Sequence, residues 1–344
     1  MQALVNRLWY DRQAGVHWLL VLLLLPLSGL FYLLTSLRRQ LFRLGLKSSA
    51  RLDVPVIVVG NITVGGSGKT PTVIYLIELL RRRGYRPGVI SRGYGVEFTG
   101  CKRVIAGMPA SEVGDEPAMI VARTQVPMVI GRDRVAAGKA LREWQAVDVI
   151  ISDDGLQHYR LERDIEILVL DGKRRFGNGL LLPAGPLREG RWRQRTVDFT
   201  LVNGESAHPE EFEMALAPGN WRSVADGELV STNLTESPAD NPLSENVAIA
   251  GIGNPQRFFD TLTHVGVHPV HQHAFDDHQA YSLEAIETVA AGRGVLMTEK
   301  DAVKCREFAK SNWCYLPVDA KIAPEFEQQL LTLLRRRENV QQGN

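Results

Sequence analysis

The chain has 344 residues, of which 44% are hydrophobic and 23% charged, and its formal net charge is +1. That length allows two domains with cores of their own, and the near-neutral charge predicts no nucleic-acid partner, which would bring a basic excess. Cys101, Cys305 and Cys314 have neither metal-ligand spacing nor the pattern of a disulfide framework, which fits a reducing compartment.

Residues 13–37 carry no formal charge, and 18–34 are almost wholly apolar. At ~1.5 Å per helical residue the charge-free stretch reaches ~37 Å and the strictly apolar part ~26 Å, so a helix crossing a ~30 Å hydrocarbon core and one lying in the interface both remain open. Pro26, Ser28 and Gly29 predict a kink. Arg38, Arg39, Arg43 and Lys47 follow the segment, against Arg7 and Arg12 before it, which predicts that the rest of the chain stays on the cytoplasmic side of the membrane. The same basic flank suits anionic headgroups. A cleaved signal peptide is the rival reading, but no small-residue cleavage site follows the run.

The apolar run Val56-Ile57-Val58-Val59-Gly60 then leads to Thr63-Val64-Gly65-Gly66-Ser67-Gly68-Lys69-Thr70. A strand entering a glycine-rich turn closed by Lys-Thr reads as a phosphate-binding P-loop. Backbone N–H groups converge on phosphate oxygens, Lys69 reaches the terminal phosphates, Thr70 can hold Mg²⁺, and the next helix points its positive end at the anion. Thr63 stands where the usual pattern has its first glycine. Nucleotide binding is therefore expected, with a plain strand-to-helix turn as the bland alternative.

Strand-like runs at 56–59, 87–90, 127–130, 147–152 and 165–170 alternate with helical stretches at 73–83, 116–123 and 132–144. This alternation predicts an α/β fold with a mainly parallel sheet covered on both faces. Asp153 and Asp154 close one buried-type strand, as the acidic end of a Walker B strand that holds Mg²⁺; Asp171, closing the next, is the rival. Gly114-Asp115-Glu116-Pro117 reads either as a helix N-cap or as a carboxylate that accepts a hydroxyl proton near the γ-phosphate. Arg188 and Arg191 could neutralise transferring phosphate or hold an anionic substrate, surface guanidinium being their default.

Residues 203–241 turn polar, as a connector with a β-hairpin would, and a second αβ unit opens at 247. Its Gly251-x-Gly253 lacks the third glycine of a dinucleotide fingerprint. Phe275-Asp276-Asp277-His278 sets a histidine among acids. Thr298-Glu299-Lys300-Asp301 is close to a guanine-recognition tetrapeptide, with Glu299 where lysine belongs.

In this order these segments, with Ser91-Arg92-Gly93-Tyr94-Gly95, Asp153-Asp154-Gly155-Leu156-Gln157-His158 and Leu182-Pro183-Ala184-Gly185-Pro186-Leu187-Arg188-Glu189, resemble the tetraacyldisaccharide 4′-kinase family of lipid A biosynthesis, from the first helix to about residue 310. Thr63 in the P-loop is similar to that family too. The resemblance implies transfer of the γ-phosphate of ATP to the 4′-hydroxyl of a tetraacylated glucosamine disaccharide 1-phosphate at the membrane surface, with ATP and Mg²⁺ required and a monomer expected. It implies an anchor over 1–50, a P-loop kinase domain over 51–205, a two-stranded β linker over 206–243 and a smaller α/β domain over 244–344. Residues 63–70 would cradle nucleotide; Thr70, Asp153, Asp154 and Glu116 would serve the metal. Asp115 would be the general base, tuned by His278 or by its rivals His271 and His273; Lys69 and Arg188 would assist, and Gln157, His158 and Arg188 would meet substrate. Two other readings stay open: a membrane-tethered GTPase-like switch, and an envelope-transport ATPase that phosphorylates no lipid.

Overall fold

The computed structural model describes residues 2–10, 17–230 and 242–342, so part of the charge-free stretch and of the connector lies outside the described residues. Two helices, α1 (Gln2–Tyr10) and α2 (His17–Arg43), come first. The strand β1 (Val56–Gly60) then feeds α3 (Lys69–Arg82), and β2 (Pro87–Ser91) and β3 (Cys101–Val104) follow. A short α4 (Ala110–Val113) abuts α5 (Asp115–Thr124), before β4 (Met128–Gly131), α6 (Arg134–Trp144), β5 (Val149–Asp153) and β6 (Ile165–Asp171).

Next come β7 (Phe199–Asn203) and β8 (Glu211–Pro218), then β9 (Arg222–Ser223) and β10 (Val247–Ala250). The last part holds α7 (Pro255–His264), β11 (His271–Ala274), α8 (Leu283–Ala290), β12 (Val295–Thr298) and α9 (Glu299–Cys305). It ends with β13 (Trp313–Leu316), β14 (Val318–Ile322) and α10 (Pro324–Gln342).

The strands form a nine-stranded sheet, ordered β14-β8-β7-β6-β1-β5-β2-β4-β3, and a five-stranded one, ordered β11-β10-β12-β13-β9. In the large sheet only the edge pairings, β3 with β4 and β14 with β8, are antiparallel. Alternation along β1 explains the two covered faces. Ile57 and Val59 face the core under α3, α5 and α10, and Val56 and Val58 face the one under α6.

The C-terminal segment differs from the expectation that kept 244–344 together. After Leu316 the chain returns to the large sheet: β14 pairs with β8, and Phe326, Leu330 and Leu334 of α10 enter its core beside Phe199 and Phe212. The apolar spacing of α10 has a partner only there, because the small sheet already has its own cores. The connector is likewise a strand of each sheet, β8 and then β9. The crossings at 218–222 and 316–318 run side by side, tied where Gly219 N–H donates to the Pro317 carbonyl at 2.9 Å. Two adjacent stretches thus join the two sheets, the second of them outside the 206–243 expected for a linker.

Helix α2 is continuous through Pro26 and is long and apolar enough to cross a membrane. One stripe nevertheless lies on the protein. Val21 packs with Leu8 and Ala184, and Ser28 Oγ donates to the Leu181 carbonyl (2.9 Å) while accepting from Ala184 N–H (3.0 Å). Farther along, the Arg39 guanidinium covers the Trp192 ring at 3.9 Å and Phe42 meets Tyr159. Leu19, Leu23, Leu30 and Leu33 on the other side are exposed.

Candidate functional site

The phosphate side is built on the large sheet. The loop from β1 to α3 turns through Gly65 (φ 107°) and Gly68 (φ 102°), a left-handed conformation that side chains disfavour. A Cβ on Gly68 would also fall 2.8 Å from Met214. The Ser67 hydroxyl and the Asn61 side-chain Oδ1 are buried there without a hydrogen-bond partner, as expected of a cradle shaped for a ligand. Thr70 begins α3 beside Lys69.

Register places Asp153 beside Val59 of β1, and Asp154 follows with φ 48°, a strained position for a non-glycine residue. That strain turns Asp154 toward two cations: Lys69 Nζ at 3.5 Å and Arg188 Nη1 at 3.0 Å. Burial alone would raise the Asp154 pKa, but Lys69 and Arg188 hold it down at about 2. Asp153 is pushed up to about 6, by burial first and by the Asp154 charge second, with one hydrogen bond from Ser91 Oγ at 3.1 Å. A buried carboxylate carrying excess negative charge beside a phosphate loop suits a divalent cation. The described residues hold no cluster of three or more metal-ligating side chains, and Mg²⁺ does not require one, since it takes phosphate oxygens and water for its other positions.

The surroundings of Asp115 span both layers. Gly114 (φ 94°) is the N-cap of α5 and makes no side-chain cap, so Asp115 enters the helix with its carboxylate free of the N-cap role that its position suggested. It takes a hydrogen bond from His278 Nδ1 at 3.1 Å, across 163 residues of sequence. His278 itself has φ 62°, and its ring rests 5.0 Å from that of Tyr94. Desolvation opposes ionisation of Asp115, yet the His278 hydrogen bond, with Lys304 and Lys300, lowers its pKa. The same bond raises that of His278, against burial and the Lys300 charge. His271 and His273 lie on β11, where His273 packs edge-on against Phe275, and neither meets Asp115.

Gly253 joins the two sides. A Cβ there would lie 3.1 Å from Gly66 N and 3.3 Å from Asp277 Oδ2, so this glycine lets the second layer close over the P-loop. Arg174 donates to the Gly253 carbonyl at 3.3 Å, and Arg257 pairs with Asp171 at 2.6 Å. Asp171, the Walker B rival, therefore belongs to a turn and an interlayer ion pair.

The remaining expected residues have partners on the page. Glu116 lies 2.7 Å from Lys300 Nζ. Gln157 Nε2 donates to the Asn61 carbonyl and to Glu189, leaving its oxygen free of both. His158 is pushed down to about 4 by burial and by Arg134, so it is neutral, with a buried unpartnered Nδ1. Arg191 lies over the Phe176 ring, away from Asp154. Sequence reasoning missed Arg134, almost fully buried and pulled down to about 10 by burial, against the charges of Asp153 and Asp154, which raise it. A lone arginine at a helix start carries no pattern to find it by.

Known proteins match this arrangement along the chain. The family model for tetraacyldisaccharide-1-P 4′-kinase, LpxK, covers residues 20–335. The chain belongs to that family. A tetraacyldisaccharide 4′-kinase of Shewanella loihica is 90% identical over 344 residues, all of both chains. One of Shewanella woodyi is 59% identical over all of this chain and 99% of its own. Among solved structures, the "apo" form of LpxK from Aquifex aeolicus in complex with ATP superposes with TM-score 0.78 at 31% identity, over 92% of this chain and 99% of that one.

Proposed function

We infer that this chain is an ATP-dependent tetraacyldisaccharide 4′-kinase: it moves the γ-phosphate of ATP to the 4′-hydroxyl of a tetraacylated glucosamine disaccharide 1-phosphate in lipid A biosynthesis. The observation that carries the reading is the Asp115–His278 pair brought over a lysine-bearing phosphate loop, in a chain that the family matches almost throughout.

Residues 63–70 and Lys69 bind the phosphates. Asp115 takes the proton of the 4′-hydroxyl as its oxygen bonds to the γ-phosphorus, the bond from that phosphorus to the bridging oxygen breaks, and ADP leaves. Arg188 and Lys69, both on Asp154, offset the charge that builds on the transferring group. Mg²⁺ would be held by Thr70, Asp153 and Asp154 and would neutralise phosphate charge; Glu116 would have to leave Lys300 to join them. Gln157, His158 and Arg188 are assigned to the substrate, neutral His158 as a hydrogen-bonding group without charge.

The exposed leucines of α2 are assigned to the cytoplasmic leaflet of the inner membrane. Contacts from Val21 to Phe42 hold the helix against the protein, which favours a helix lying along the surface, where a four-chain lipid is within reach. One chain holds the whole site, in keeping with a monomer. The test is γ-labelled ATP with the acylated disaccharide 1-phosphate in detergent. Label should appear in the lipid and depend on Mg²⁺; label found only in inorganic phosphate, or a preference for GTP, would sink the kinase reading.

A further inference from the structure

The tetrapeptide Thr298-Glu299-Lys300-Asp301 only approaches a guanine-recognition motif in sequence, and the structure gives all four residues other work. Thr298 caps α9, accepting from Asp301 N–H at 3.2 Å. Asp301 is fully buried and accepts from Gly251 N–H (3.1 Å) and Tyr281 Oη (2.8 Å). Glu299 pairs with Arg123 at 2.8 Å, and Lys300 pairs with Glu116 at 2.7 Å. Glu116 and Arg123 are two turns apart on α5, so one end of α9 grips both ends of one face of α5, with opposite charges at each grip.

Lys300 does more than grip. Its Nζ is 2.7 Å from Glu116, 3.0 Å from Asp277 Oδ1 and 3.4 Å from His278 Nε2. An ammonium has donors and no acceptor, so a favourable contact with Nε2 requires the imidazole lone pair at that atom. The ring proton must then sit on Nδ1, the atom that meets Asp115. The competing acceptor for an Nε2 proton is Asp277 Oδ1, which stands 3.8 Å away, beyond hydrogen-bond reach, and is already bound to Lys300.

Resting on the kinase reading above, we propose that Lys300 is a positioning residue for phosphoryl transfer: it keeps Asp277 from His278 and fixes the tautomer that donates from Nδ1 to Asp115. Closure of the second layer and orientation of the base are then one event, because the same ammonium holds Glu116 of the first layer.

The test combines kinetics with ¹⁵N-histidine NMR of the full-length protein in detergent, the His278 signals being assigned by their loss in His278→Gln. In the parent protein, neutral His278 should carry its proton on Nδ1. Lys300→Met should lower kcat by ~10–100-fold with nucleotide KM changed less than about threefold, and should move the proton toward Nε2; Lys300→Arg, again donor-only, should recover most of both. An Nε2 proton on His278 in the parent protein overturns the proposal, even if Lys300→Met fails to fold. So does a Lys300→Met protein that loses turnover with its His278 tautomer unchanged, or that keeps kcat within twofold. The NMR result needs no lipid turnover, so a parent protein inactive on lipid would count against the kinase reading and leave the tautomer assignment to be judged separately.

Discussion

The phosphate side of the site and its base side draw on the chain in different ways. Lys69, Asp154 and Arg188 lie on segments that border one mainly parallel sheet, whose register sets Asp153 beside β1. Asp115 and His278 share no sheet and meet only where the second layer covers the first. A site held by sheet register persists whenever the sheet is folded; one assembled across a hinge exists only while the layers are closed. That difference suits a kinase that must admit a nucleotide and a lipid before it excludes water.

The contrast can be broken or sharpened by substitution. Lys69→Ala should remove the phosphate side outright, with kcat/KM down by ~10³-fold or more and nucleotide affinity lost with it. Near-normal turnover in that variant would show that the loop does not hold phosphate. Phe326→Ala should destabilise by about 3–5 kcal/mol in denaturant melts, because its ring fills the core between Phe199 and Phe212. A loss below ~1 kcal/mol would mean that α10 is not part of the large-sheet core.

Arg257→Ala removes an interlayer ion pair to nearly buried Asp171, which keeps its turn hydrogen bonds from Lys173 N–H and Arg174 N–H. About 1–2 kcal/mol, or roughly five- to thirtyfold in closure, should appear as a higher nucleotide KM with kcat nearly unchanged. An unchanged KM would remove this pair from closure.

The smallest effect concerns pH. His278 gains affinity for its proton in the fold, so its share of the pair's stability is full below 6.5 and fades as pH rises through its raised pKa. Asp115 titrates low, so its share is full above 3.8 and fades as pH falls through its lowered pKa. Melts of the parent and of Asp115→Asn should therefore differ most between those two values, and the gap should narrow without vanishing as pH rises through the raised His278 pKa, since neutral Nδ1–H still donates to Asp115. A gap that widened toward alkaline pH would contradict the charged pair.

The same contrast explains what the sequence made legible. Thr63 to Thr70 lie in one local segment after a strand, so the loop could be expected directly, as could Asp153 and Asp154 at the end of β5. Asp115 was ambiguous because a carboxylate at a helix start is usually a cap; that Gly114 takes that place and that His278 arrives from the second layer are not visible in the local sequence. His271, His273 and His278 were equivalent by composition, and the paths of β11 and the loop after it separate them. The return of β14 and α10 to the large sheet left no mark in local pattern, since a strand's partner is a property of the whole chain. Glu299 and Lys300 suggested a base-recognition motif for the same reason: their partners, Arg123 and Glu116, are nearly two hundred residues earlier.

The most direct test measures nucleotide affinity and turnover on one preparation of Asp115→Ala. Nucleotide should bind within about threefold of the parent while kcat falls by ~10²–10⁴-fold, because the phosphate side is intact and the proton acceptor is gone. A raised KM with kcat preserved would place Asp115 in binding and take the base side out of the chemistry.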